Sequence, residues 1–379
     1  MAGAWTRREF LRVSGQGAIA LAAVGAGGFL AGCDPGPLLA TDVNGLKLLS
    51  GFTSRLIARS GTVVAGTAHT WHASPDGGAC FALPDGGWSY VSNSEALAGG
   101  AGYVRFAADG SIIGAGTCLS GTLANCAGGA TPWGTWLSCE EWASGRVWEC
   151  DPIGAVPAVA RPAMGLFTHE AAAADVVNRC IYLTEDRSDG GLYRFVPTTW
   201  GDLSAGTLQV LTETGGVLGW GTVADPAGNP VPTRNQVAGT KRFAGGEGAA
   251  MSNGRLVFTT KGDNRVWIYD PAGNTLSIVY DDDVQVNGVL HGVDNVATSV
   301  KGVIYVAEDG APADGGQMQI VLVRETGETF PVVQLPDVAG SEITGPAFDP
   351  SGKRLYFSSQ RNPGATYEVT GTWGLLIAM

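Results

Sequence analysis

Acid doublets close three strand-like runs of this 379-residue chain: Glu140-Glu141 after Trp136-Leu137-Ser138-Cys139, Glu185-Asp186 after Ile181-Tyr182-Leu183-Thr184, and Glu308-Asp309 after Ile304-Tyr305-Val306-Ala307. Three further runs end in polar residues at the same point, at Asn93-Ser94-Glu95, Thr259-Thr260-Lys261 and Ser358-Ser359-Gln360. Roughly fifteen residues ahead of most of these clusters stands another polar residue among small ones. The pairs are Asn125 with Glu140, Glu170 with Glu185, Asp294 with Glu308 and Glu342 with Gln360, and Glu247 precedes Lys261 in the same way. Carboxylate oxygens gathered at one point are ligands for hard cations. Cys139, directly before two glutamates, invites a ligand role as well. A single acid at a strand end ordinarily caps a turn and faces water. Recurrence at one register argues instead for a shared site.

Such convergence needs a radial scaffold. The landmark strands recur at intervals of 46 to 51 residues, with one interval of 75 between Tyr182 and Val257. A spacing near 48 fits a four-stranded propeller blade, and six landmarks imply six blades. Second strands ending in turns follow several landmarks, as in Arg146–Pro152, Gly191–Pro197 and Arg265–Pro271. The chain holds 58 glycines and 19 prolines, its apolar runs are short, and no apolar stripe of helical period follows the first 33 residues. The fold expected is all-β, a six-bladed β-propeller preceded by a Tat/lipoprotein signal segment. Residues 34–379 form a single propeller domain with an insertion around 200–240.

The leader is read from Thr6-Arg7-Arg8-Glu9-Phe10-Leu11, a twin-arginine export signal, followed by an uncharged stretch and Leu30-Ala31-Gly32-Cys33. That last tetrapeptide has the form of a lipobox, with Cys33 the lipidated first residue after cleavage of residues 1–33. The expected location is periplasmic or at the cell surface, held to the membrane only through a lipid anchor, and the expected state is a monomer. The chain carries a formal charge of −12, which excludes nucleic acid as a partner. It would repel a phosphorylated substrate unless bound cations neutralised the acids. Among the six later cysteines, Cys118 and Cys126 form the nearest candidate disulfide pair. Lys261 reads as a solvated charge.

The segment Asn125-Cys126-Ala127-Gly128-Gly129-Ala130-Thr131-Pro132-Trp133-Gly134-Thr135-Trp136-Leu137-Ser138-Cys139-Glu140-Glu141 resembles the signature of the PhoX-type alkaline phosphatases. His169-Glu170, Thr184-Glu185-Asp186-Arg187, Gly245-Gly246-Glu247-Gly248, Asp294-Asn295, Glu308-Asp309-Gly310 and Ser341-Glu342-Ile343-Thr344-Gly345-Pro346 resemble further blocks of that family in order. The resemblance implies a propeller whose channel holds calcium and ferric iron and hydrolyses phosphate monoesters, small-molecule phosphate esters being the partners. It implies Cys139 as an iron ligand and Glu170, Glu185, Glu247, Asp294 and Glu308 as carboxylate ligands, with Glu140 a further one. Arg187 would bind the substrate phosphate, and Asn125, in register with Glu140, is the other catalytic candidate. Gln360-Arg361-Asn362-Pro363-Gly364 departs from the family's Gln-His-Pro-Gly, and no Arg-Pro pair precedes Glu247. These departures and the shorter chain describe a compact branch.

Two other readings share the same residues. A calcium-dependent propeller hydrolase of lactonase type also uses acids at a channel mouth but needs no thiolate ligand. A non-catalytic calcium-binding propeller would use the acids for stability alone.

Overall fold

The computed structural model describes residues 35–285, 288–299, 301–309, 317–336 and 340–376. The leader, Cys33 included, lies outside them. Six antiparallel sheets stand around one axis. We number them as blades in the chain order of their inner strands, which are Pro75–Ala82, Asn125–Ala130, His169–Asp175, Gly246–Ser252, Val293–Thr298 and Ile343–Phe348. Each inner strand adjoins that of the next blade, and the sixth returns to the first. The expected six-bladed propeller is therefore observed.

The sequence of each strand matches its depth. Inner strands are rich in Ala and Gly (His169-Glu170-Ala171-Ala172-Ala173-Ala174, Asn125-Cys126-Ala127-Gly128-Gly129-Ala130) because six of them must converge on the axis. Second strands carry aromatic and branched side chains on both faces, as in Ile181-Tyr182-Leu183 and Leu355-Tyr356-Phe357, all fully buried. A blade has neighbours on both sides, so its central strand shows no polar alternation. The hairpin between the inner and second strands of blade 4 turns through Asn253-Gly254, both at positive φ (49° and 78°), the conformation that a two-residue hairpin loop requires.

The residues around 200–240 extend blade 3. A long hairpin, Asp202–Thr214 with Val217–Thr222, supplies its fourth and fifth strands. The following loop returns toward the channel mouth, where Arg234 pairs with Glu185.

The two ends of the chain latch the ring. Lys47–Leu48 adds to the outer edge of blade 5, and Thr53–Arg59 forms the outermost strand of blade 6, antiparallel to Ala365–Thr370. Trp373 then packs on Phe52, ring centroids 4.7 Å apart, and Trp71 Nε1 donates to Thr366 Oγ1 at 3.0 Å.

Candidate metal centre

Every inner strand is bulged near its start, between Pro75 and Gly78, Asn125 and Gly128, His169 and Ala172, Gly246 and Ala249, Val293 and Val296, and Thr344 and Ala347. A bulge re-aims the extra residue. The residue just inside it is Asp76, Cys126, Glu170, Glu247, Asp294 or, in blade 6, Gly345. That glycine has φ of 59°, and a Cβ there would lie 2.5 Å from Asp76 O, so blade 6 contributes backbone where the others contribute ligands. Cys126 Sγ lies 3.1 Å from Glu170 Oε1. Three groups of ligand atoms, each within 4.8 Å of one another, follow: Cys126 with Glu141 and Glu170; Glu170 with Glu247 and Asp294; Asp76 with Glu95 and Glu342.

The second strands complete the cup one residue later than the sequence reading placed them. Glu95, Glu141, Asp186, Lys261 and Asp309 occupy equivalent positions just past the last register partners of the inner strands. Successive side chains point to opposite faces of a strand, so a one-residue slip exchanges the whole set. The expected ligands Glu140, Glu185 and Glu308 are corrected on that ground. Glu140 accepts the backbone N–H groups of Leu123 (3.0 Å) and Arg146 (3.1 Å). Glu185 accepts from Gly191 N and Tyr193 Oη and pairs with Arg234 at 2.9 Å. Glu308 accepts from His291 N at 2.8 Å. All three brace turns.

Cys139 is corrected too. It is wholly buried against Leu137, Val147, Phe167 and Leu183 in the apolar packing of blades 2 and 3, and the thiol at the axis is Cys126. The expected Cys118–Cys126 disulfide is not formed: all six described cysteines are free. Asn125 is no channel residue either, since its side chain joins Ser138 Oγ and Thr122 Oγ1 inside blades 1 and 2. Arg187 is exposed and belongs to none of the three ligand groups; it lines a cleft of about 520 Å³ with Thr168, Glu185, Asn229 and Arg234. Lys261, expected as a solvated charge, is exposed but also holds Glu247 Oε1 at 2.7 Å and Asp186 Oδ2 at 3.1 Å. Of the expected metal ligands, the geometry brings together Glu170, Glu247 and Asp294. Asp76, Glu95, Cys126, Glu141 and Glu342 complete the three groups.

Neighbouring blades fix the backbone beneath these ligands. Asn93 Nδ2 donates to Cys126 O at 3.0 Å and Ala127 O at 2.8 Å. Thr184 Oγ1 donates to Glu247 O, and Thr259 Oγ1 to Asp294 O. Below the acids the channel narrows to about 30 Å³, between Gly77, Ala127, Ala171, Gly248, Asn295 and Pro346, room for about one water. Beneath this waist lies a chamber of about 280 Å³ lined largely by alanine.

The electrostatics of the cup call for cations. Burial, and then the charge of Glu247, holds the carboxyls of Glu170 and Asp294 well above their ordinary range. Glu141 is pushed up to about 8 by burial and then by Glu247; Asp76 is pushed up to about 7 by burial and then by Glu95. Glu170 Oε2 is buried without a hydrogen-bond partner. Buried carboxylates this close cannot all ionise without opposite charge among them. A hard, multivalent cation with a preference for oxygen and tolerance for sulfur fits this donor set. The sign for stability follows. With cations removed, the folded state holds protons that the unfolded chain would release above about pH 4.5, so stability falls as pH rises through the values of about 7 and about 8 of Asp76 and Glu141. Chelated protein is therefore expected to melt at a lower temperature at pH 8.5 than at pH 5.5, and calcium should erase much of the difference. A melting temperature in chelator that is flat or rises with pH would contradict this account.

Fold and site define the class: a six-bladed β-propeller whose axial cup is built of buried acids and one thiol. The model of the alkaline phosphatase PhoX family matches residues 86–151 and 143–274. The chain belongs to that family, and it is an enzyme of the alkaline-phosphatase-like, phosphoester-hydrolysing kind. Among solved structures it resembles Pseudomonas fluorescens PhoX in complex with vanadate, a transition state analogue, at a TM-score of 0.72 and 17% identity, covering 89% of this chain and 97% of that one. A gluconolactonase from Xanthomonas campestris shares the fold at a TM-score of 0.54 and 11% identity, covering 90% and 96%. A protein of unknown function from Bacteroides thetaiotaomicron does so at 0.54 and 9%, covering 84% and 76%. No curated protein matches the chain with significant similarity.

Proposed function

We propose that this enzyme hydrolyses phosphate monoesters at a cluster of calcium and ferric ions held in the axial cup. The observation that carries the reading is the junction at Glu170, which belongs to two ligand groups at once, touches the Cys126 thiol and has a buried oxygen with no protein partner. Cys126, Glu141, Glu170, Glu247 and Asp294 would hold the cluster, with sulfur favouring iron and the carboxylates suiting either metal. Such ions, when bound, supply Lewis-acid neutralisation of a phosphoryl group's charge. The chain's own residues supply the rest. The narrow waist leaves the mouth as the way in for an ester, and Arg187 stands exposed on the cleft beside it, with a planar fork suited to phosphate. The thiol at the axis favours this reading over a lactonase, which needs none.

We further infer export through the twin-arginine route, with lipidation at Cys33. Arg7-Arg8 and the Leu30–Cys33 lipobox support it. That route carries folded proteins, which suits a site assembled from ligands on four blades.

One preparation tests both parts. Protein from an exporting host should be recovered in the membrane fraction and contain iron and calcium by elemental analysis. It should hydrolyse a chromogenic phosphate monoester with turnover lost to chelation, and vanadate should inhibit it. Metal-free protein with undiminished hydrolysis would overturn the metal reading, and recovery in the soluble fraction alone would overturn the anchor.

A further inference from the structure

The cup is not uniformly acidic. At the second-strand position where blades 1, 2, 3 and 5 place Glu95, Glu141, Asp186 and Asp309, blade 4 places Lys261, and blade 6 places Ser359 ahead of Gln360-Arg361. Lys261 Nζ reaches Glu247 and Asp186. The Arg361 guanidinium lies 2.9 Å from Glu342 Oε1 and 3.1 Å from Glu95 Oε2, and Gln360 Nε2 donates to Asp76 and to Glu95. The three ligand groups are therefore treated differently. Asp76–Glu95–Glu342 is spanned by a guanidinium and an amide. In Glu170–Glu247–Asp294 one carboxylate of three is covered by an ammonium. Among the described residues, Cys126–Glu141–Glu170 has no ion pair to a basic side chain.

A guanidinium is always charged and presents its N–H groups in a fixed plane. Seated between two carboxylates, it satisfies the oxygens that a metal would need and repels any cation entering beside it. We propose that Arg361 and Lys261 are resident cations of the cup. Arg361 keeps the Asp76–Glu95–Glu342 group free of metal, and Lys261 takes the place of one ion beside Glu247 and Asp186, which confines metal loading to the Cys126 side of the axis. This rests on the proposed metal-dependent function but concerns the number and place of the ions rather than the reaction.

The test is a count of ions. Protein stripped with chelator is titrated with calcium alone, by calorimetry and by equilibrium dialysis, for the wild type, Arg361→Gln, Arg361→Lys and Lys261→Gln. Arg361→Gln and Lys261→Gln are each expected to bind one more calcium per chain than the wild type, and Arg361→Lys to keep the wild-type number. Should a variant fold only with calcium, the steeper rise of its melting temperature with calcium concentration reports the same added site. Equal or smaller counts in Arg361→Gln and Lys261→Gln would overturn the proposal. So would loss of affinity for inorganic phosphate at an unchanged count, which would assign both side chains to the substrate. A wild type that binds no metal would sink the proposed function instead, and the difference between variants would still decide this proposal.

Discussion

Glu170→Gln should lower kcat/KM for a phosphate monoester by about 10³-fold, the equivalent of roughly 4 kcal/mol of lost transition-state stabilisation. Cys139→Ser should leave it within about twofold, since that thiol packs in the apolar core and burying a hydroxyl there costs stability rather than chemistry. The contrast is the informative part. Glu170 is shared by two ligand groups, so removing its charge should also release metal from the purified protein. The measurement is steady-state kinetics with metal content on the same samples. A Cys139→Ser variant that loses iron and activity, beside a Glu170→Gln variant that keeps both, would reverse the assignment made from the axis.

The second large effect is on the scaffold. Gly248→Ala should destabilise the protein by at least about 3 kcal/mol, at or beyond the upper end of ordinary overpacking. A Cβ at Gly248 would lie 2.3 Å from Val296 N and 2.7 Å from Asn295 Cα, atoms of the adjoining blade's backbone that no rotamer change can move. Gly77, whose Cβ would stand 2.4 Å from Ala127 Cα, should behave alike. Gly254→Ala tests a different cause. No atom lies within 4 Å of its would-be Cβ, and only its φ of 78° resists the change, so the cost should be nearer 1 kcal/mol. Urea unfolding midpoints of the three variants check this ordering. Equal midpoints for Gly248→Ala and the wild type would show that the waist can spread.

The ring and its blade count were legible because they depend on period. Four strands and their turns take a nearly constant length of chain, and aromatic second strands mark each repeat. Glu170, Glu247 and Asp294 were legible as acids flanked by small residues, a pattern with few uses outside a crowded axis. The face of each acid doublet was not. Glu140-Glu141, Glu185-Asp186 and Glu308-Asp309 offer two carboxylates at adjacent positions, and alternation sends one to the axis and the other to a turn. Which goes where is set by the bulge in the partner strand, and bulges leave no composition of their own beyond small residues. The same ambiguity chose between Cys126 and Cys139, two thiols in one motif. Had the inner strand been taken as the primary register, Asp76, Cys126, Glu170, Glu247 and Asp294 would have aligned directly, each one position after the last paired residue. Lys261 and Arg361 escaped for another reason: a basic side chain in an acidic surface has many partners in sequence, and distance alone selects among them.

Because the ring is latched by strands from its opposite ends, the cup is completed late in synthesis. Its donors run from Asp76 to Glu342, while the strand at Thr53–Arg59 waits unpaired until Ala365–Thr370 have cleared the ribosome. A nascent chain short of that point has no closed axis, and its acids stay hydrated and apart. The cation capture proposed above would thereby wait on the closing strand, and a chain cut short of it would leave the ring open.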